Sequence, residues 1–304
     1  MTENKPLPQT QVEHQKAKLI IFDLDGTLTP SKTDMDGEMA ELIERLLEKK
    51  MVAVIGGGKY EQFQKQFLSV LSKTARKPEW EQVGKSAIHL PENSRAISRG
   101  SKVGRIADLP LKAPGDLLGN LFLFPTNGST FYCYNGNIWE QVYAEKLSGE
   151  EKKRTFEAFA KTFQELNYHH PAKTYGEIIE DRNTQITFSA LGQEAPLDLK
   201  LKWKEEHTAE KLKIAEHLQK YLPDLEVRPS AYTSIDVTHK GIDKAYGIKQ
   251  IKKHLGIDFS EMLFVGDALF LGGNDSAALR TGVPCFEVKG PEETKDLIRS
   301  LFEN

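Results

Sequence analysis

The chain has 304 residues, 39% hydrophobic and 28% charged, with a formal net charge of -3. That composition fits a soluble globular protein with room for two lobes, and the charge gives no general bias toward nucleic acid or acidic membrane. The opening MTENKPLPQTQVEHQK is polar without an apolar stretch and no apolar run is bilayer-long, so neither secretion nor a membrane span is expected and a cytoplasmic location is. Cys133 and Cys285 are the only cysteines and lack the clustered spacing of a zinc site.

In chain order, the first element is the apolar run Lys18–Phe22, read as a buried parallel strand because it is β-branched and exits at once into Asp23-Leu-Asp-Gly-Thr27. A helix follows over about 37–50, with Met39, Leu42, Ile43, Leu46 and Leu47 on one stripe. A second apolar run, Met51–Ile55, ends in Gly56-Gly57-Gly58, and a helix runs from about Lys59 to Leu71. This β-α-β-α opening predicts a parallel sheet with right-handed crossovers. From 72 to 120 the chain is basic and poor in periodic apolar positions, and reads as an irregular insertion.

A hairpin is expected over 121–134, with Asn135-Gly136 as a turn signal. Then come a helix over 150–166, half-exposed strands over 176–179 and 185–188, a helix over 208–221 and a strand over 234–237. The tail returns to the opening style with a helix over 244–255, a strand at Met262–Val265 and a short strand near 284–287. The expected division is a tail over 1–17, a core over 18–138, an α+β lobe over 139–231 and a second core segment over 232–304.

Asp23 and Asp25 are two carboxylates one residue apart at a strand's C-terminal end, where α/β folds place their ligands. Gly26 permits the bend that lets both face one site. The first can attack phosphorus and form an acyl phosphate; the second can protonate the leaving oxygen and later deprotonate the incoming nucleophile. Two carboxylates and a phosphate repel unless a hard cation intervenes, so magnesium is expected on Asp23, Asp25 and the later Asp267. Asp275 and Asn274 in the Gly-Gly-Asn-Asp loop, with Thr27, are read as supporting Asp267 and its neighbours. Lys244 is assigned to neutralising the transferring group, and the backbone N–H groups of Gly57 and Gly58 to contacting the phosphate.

Asp23-Leu-Asp-Gly-Thr-Leu-Thr29, Gly56-Gly57-Gly58, Lys244 and Gly266-Asp267 with Gly-Gly-Asn-Asp275 resemble the four ordered motifs of the haloacid dehalogenase-like superfamily. The inserted lobe resembles its C2-type cap. The implied fold is a Rossmann-like, doubly wound parallel-sheet α/β core carrying an α+β cap. Phe124-Pro-Thr-Asn-Gly128, Ser234-Ile-Asp-Val237 and Gly241-Ile-Asp-Lys244 are similar to the eukaryotic-type phosphomannomutases.

That resemblance implies a magnesium-dependent enzyme acting on a phosphorylated small molecule, with substrate contacts at Lys32, Arg182, Ser234 and Asp236, a cap that closes over the site, and pairing of two copies through the cap. Where the family carries arginines, Tyr175 and Gln193 stand in the cap and Lys32 after the first motif, while Gly58 replaces a hydroxyl residue. Gln and Tyr do not reproduce arginine's bidentate fork, and losing cap cations weakens retention of a bisphosphate intermediate. The leading expectation is therefore a sugar-phosphate phosphatase. Phosphomannomutase is the alternative, and a silent sugar-phosphate binder a third reading.

Overall fold

A computed structural model describes residues 16–30, 33–74, 111 and 117–302. Two compact units divide the chain, one formed by residues 1–142 with 243–304 and the other by residues 143–242.

In the first unit a seven-stranded sheet has the order β11-β10-β1-β2-β3-β4-β5. Strands β1 (Leu19–Asp23) and β2 (Met51–Ile55) are buried along their whole length, as continuous apolar runs in a two-sided parallel sheet must be. β1 runs parallel to β2 on one edge and to β10 (Met262–Gly266) on the other. β3 (Leu121–Phe124) continues the parallel set beside β2, and β11 (Cys285–Glu287) beside β10. β4 (Thr130–Tyr134) is antiparallel to β3, and β5 (Trp139–Ala144) closes the edge. The strand order reverses direction at β1, so its carboxyl end opens at the crevice where such sheets receive ligands.

Helix α1 (Gly37–Leu47) starts where the Asp36 carboxylate accepts the Met39 N–H at 2.8 Å. It packs Met39, Ile43, Leu46 and Leu47 into the same core as Phe22, Val52 and Val54, each side chain contributing about 1.5–3 kcal/mol of burial. Helix α2 (Tyr60–Phe63) passes through a π turn (Gln64–Leu68) into α3 (Ser69–Thr74). The expected insertion over 72–120 lies largely outside the described residues; its end is a 3-10 turn at Leu117–Asn120.

The second unit holds a four-stranded sheet, β6 (Ile179–Asp181), β7 (Ile186–Ser189), β9 (Ser234–His239) and β8 (Leu225–Ser230), all antiparallel neighbours. α4 (Gly149–Glu165) begins in a Ser148/Glu151 capping box, and α5 runs from Leu197 to Tyr221. Phe159, Phe188, Ile214, Leu218, Ile235 and Val237 share one core. β7 is buried throughout, not half exposed as its alternation suggested, because it is a central strand of this sheet.

The 234–239 strand also belongs to this sheet, so the chain returns to the first unit at Asp243 and not at 232. Back there, α6 (Lys244–Leu255) is capped by the Asp243 carboxylate on the Tyr246 N–H and ends at Gly256 with φ +71°. Short α7 (Ser276–Leu279) and α8 (Pro291–Ser300) complete the unit. Among the described residues no helix is long and apolar enough to cross a membrane.

Candidate active site

Asp23 ends β1 and is 2% exposed. The backbone then folds into a tight loop in which Leu28 and Thr29 donate to the Leu24 carbonyl and Gly26 to the Thr29 carbonyl. Gly26 sits at φ +91°, and a Cβ there would stand 2.5 Å from an Asp267 carboxylate oxygen. Conformation and close approach both demand glycine at this position. The parallel register sets Phe22 beside Val265, so the exits of β1 and β10 bring Asp23 and Asp267 to one place. Thr27 is buried, its hydroxyl donating to Asp267 Oδ1 at 3.5 Å.

Lys244, the first residue of α6, is 1% exposed. Its Nζ donates to Asp23 Oδ1 at 2.5 Å and to Asp275 Oδ1. The other Asp275 oxygen accepts the Ala268 N–H at 2.9 Å. Asp275 therefore orients both the lysine and the loop that bears Asp267. Asn274, its neighbour, is exposed.

Burial is the largest influence on Asp23 and pushes its carboxyl well above the ordinary range; Lys244 pulls it down while Asp275 and Asp267 push it up further. Asp267 is also raised, by burial first and by Asp275 next. Burial alone would lower Lys244, but Asp23 and Asp275 outweigh it and hold the ammonium above its usual value.

Asp23, Asp267 and Asp275 each offer a carboxylate oxygen within 4.8 Å of the others. Asp23 Oδ2 is buried and accepts no hydrogen bond among the described residues. A hard, all-oxygen donor set with an unsatisfied buried carboxylate oxygen fits a divalent cation such as magnesium. The cluster differs from the expected carboxylate trio in one member. Asp25 is not a member of that cluster, and its Oδ2 accepts from Gln62 Nε2 at 3.0 Å. Asp275 stands in the trio instead, with its oxygens already taken by Lys244 and Ala268.

Gly57 and Gly58 follow β2, whose Ile55 lies beside Asp23. The carbonyls of Gly56 and Gly58 accept the N–H groups of Asn127 and Thr126 at 2.8 and 2.9 Å. Thr126, Asn127 and Gly128 all have positive φ, and this left-handed run, within the sequence Phe124–Gly128, fastens β3's exit to the glycine loop. Lys32 lies outside the described residues.

Three expected substrate residues lie in the second unit. Arg182 follows β6, donating through Nε to Glu180 at 2.7 Å and through Nη2 to Gln193 at 2.9 Å, with its side chain 8% exposed. Ser234 and Asp236 are buried on β9, and Asp236 accepts from the Thr187 hydroxyl at 2.8 Å. Sequence reasoning missed Gln62 altogether; its only signal is a four-residue spacing from Gly58.

A family model described as eukaryotic phosphomannomutase matches residues 100–304. The chain belongs to that family. Relatives among known phosphomannomutase-family proteins include phosphomannomutase of Saccharomyces cerevisiae, 26% identical over 93% of this chain and 94% of its own length. Phosphomannomutase 1 of Mus musculus is likewise 26% identical, over 93% and 92%. Among solved structures, Plasmodium falciparum IMP-nucleotidase superposes with a TM-score of 0.62 at 17% identity, covering 96% of this chain and 70% of that one. Aspergillus fumigatus trehalose-6-phosphate phosphatase gives 0.51 at 15% identity, over 97% and 96%. At such identity these two share the fold alone. The haloacid dehalogenase-like fold and the phosphomannomutase branch expected from the motifs are thus borne out, and this phosphomannomutase-family chain is an enzyme of phosphoryl transfer.

Proposed function

We propose that this chain is a magnesium-dependent phosphatase of a small sugar phosphate that works through an aspartyl phosphate on Asp23. The carrying observation is the setting of Asp23: one oxygen is held by Lys244, the other is buried with no donor among the described residues, and the carboxylate clusters with that of Asp267. Asp23 forms an oxygen–phosphorus bond as the ester oxygen leaves, and Asp25 gives that oxygen its proton. Water then attacks the aspartyl phosphate, Asp25 takes the water's proton, and phosphate departs with the Asp23 carboxylate restored. Lys244 compensates negative charge at the acceptor throughout. A magnesium ion held by Asp23 and Asp267 would supply Lewis-acid charge compensation for the phosphoryl oxygens.

Hydrolysis is favoured over isomerisation by the cap's charges. A mutase must retain a bisphosphate while it turns over, and that demands uncommitted cations. Arg182 is paired with Glu180 and Gln193, while Lys211 donates to the carbonyls of Ser230, Ala231 and Tyr232. Gln193 and Tyr175 cannot replace guanidinium groups. The second reading, interconversion of mannose 6-phosphate and mannose 1-phosphate, is favoured by phosphomannomutase relatives that align over 93% of the chain.

The two are separated by running a phosphate-release assay beside a coupled isomerisation assay on mannose and glucose phosphates with magnesium. Magnesium-dependent release that stops in EDTA supports the phosphatase. Isomerisation stimulated by a hexose bisphosphate, with little phosphate released, overturns it in favour of the mutase.

A further inference from the structure

Gln62 sits half buried in the first turn of α2, immediately before the helix widens into its π turn. Such an irregularity often accompanies a functional side chain. Its Nε2 donates to Asp25 Oδ2 at 3.0 Å. The space that its amide fills exists only because residue 58 has no side chain. A Cβ on Gly58 would stand 2.1 Å from Gln62 Oε1 and 2.5 Å from its Cδ. A serine or threonine at 58, the kind of residue the family resemblance implies, would force that amide out. Gly58 has no positive φ, so a side chain there meets the amide as its nearest neighbour without a left-handed backbone penalty.

We propose that Gln62 is a positioning residue for the acid/base Asp25, seated in a slot opened by Gly58, and that the two positions act as one unit. A carboxamide neither gains nor loses a proton near neutrality, so it takes no part in the transfer itself. It fixes the carboxyl's rotation through Oδ2, and the proton reaches the leaving oxygen from a defined direction. The role rests on the phosphoryl-transfer reading above.

The test compares two probes with magnesium: phenyl phosphate, whose leaving oxygen needs a proton, and p-nitrophenyl phosphate, whose leaving oxygen needs almost none. Gln62→Ala and Gln62→Met are expected to lower kcat/KM on phenyl phosphate about tenfold, the scale of one hydrogen bond to a charged group, with little change on p-nitrophenyl phosphate. Gly58→Ala is expected to lower kcat/KM on phenyl phosphate as far as Gln62→Ala does, and Gly58→Ala/Gln62→Ala to be no slower on that probe than Gln62→Ala. Equal losses on both probes in the Gln62 variants, or penalties that multiply in the double variant, overturn the proposal. Asp23→Asn is the companion control. If it is inactive while Gln62→Ala is fully active, the Gln62 role fails alone; if it stays active, the transfer reading fails and the Gln62 role with it.

Discussion

Asp275 and Lys244 form an ion pair in which the carboxylate is 0% and the ammonium 1% exposed, and the same ammonium reaches Asp23. Removing one partner of a pair this deep leaves charge uncompensated where water cannot screen it. Asp275→Ala is expected to lower the free energy of unfolding by about 3–5 kcal/mol, since it also strands the Ala268 N–H. Urea denaturation in EDTA measures this; a midpoint equal to the parent's would mean that Asp23 alone satisfies the lysine.

Asp23→Asn should behave oppositely in stability. Burial is the first cause raising the Asp23 carboxyl, so in the metal-free fold its charge is a burden that a neutral amide of the same shape removes. Turnover should fall about a thousandfold or more, while the melting temperature in EDTA rises. Calorimetry showing a lower melting temperature would mean that pairing with Lys244 outweighs burial.

Much of the fold is legible in the sequence. Strands β1 and β2 announce themselves because both faces are covered, which leaves only apolar side chains until a functional residue or a glycine ends the run. β8 is interrupted by Arg228 and Pro229, so no alternation marks it. α5 begins at Leu197 rather than near Thr208, because its first turns bury Lys200 and Trp203 instead of an aliphatic stripe. Ser234–Val237 reads identically in either unit; only its pairing with β7 and β8 assigns it. Gln62 was illegible for a different reason, since its contact depends on an atom that Gly58 lacks.

The turn between β8 and β9 offers a pH experiment. Lys211 donates to three successive carbonyls there, around Ala231 at φ +37°. Burial, with Lys204 adding to it, lowers this ammonium to about 8. A depressed folded value means the charged form is the costly one in the fold. The residue's contribution to stability is therefore full above the unfolded value near 10.4 and is lost as pH falls through about 8. The unfolding free energy of the parent relative to Lys211→Met should accordingly rise between pH 7 and pH 10. A flat difference across that range would show that the carbonyls offset the burial completely.

Gly128 and Gly247 touch across the turn beneath α6. A Cβ on Gly128, at φ +80°, would come within 2.4 Å of the Gly247 Cα. Gly128→Ala must strain the backbone or push the helix, costing about 1–3 kcal/mol. Because that helix begins at Lys244, kcat should fall with the melting temperature, and both are read from one purified variant. A variant that keeps its activity at a lower melting temperature would place the strain in the turn alone.

The division of the first unit in sequence has a consequence for biosynthesis. Asp23 and Lys244 are separated by 221 residues, and β10, which completes the pairing of β1, is made later still. While the chain is being synthesised, the strand that ends in Asp23 has β2 on one edge and nothing on the other until β10 has left the ribosome. The second unit, whose strands and helices are contiguous in sequence, is complete before then. The nascent chain thus carries an open, apolar strand edge for most of its synthesis, the stage at which chaperone contact matters most. The contact between Asp23 and Lys244 can form only after this late segment has folded back onto the first strand.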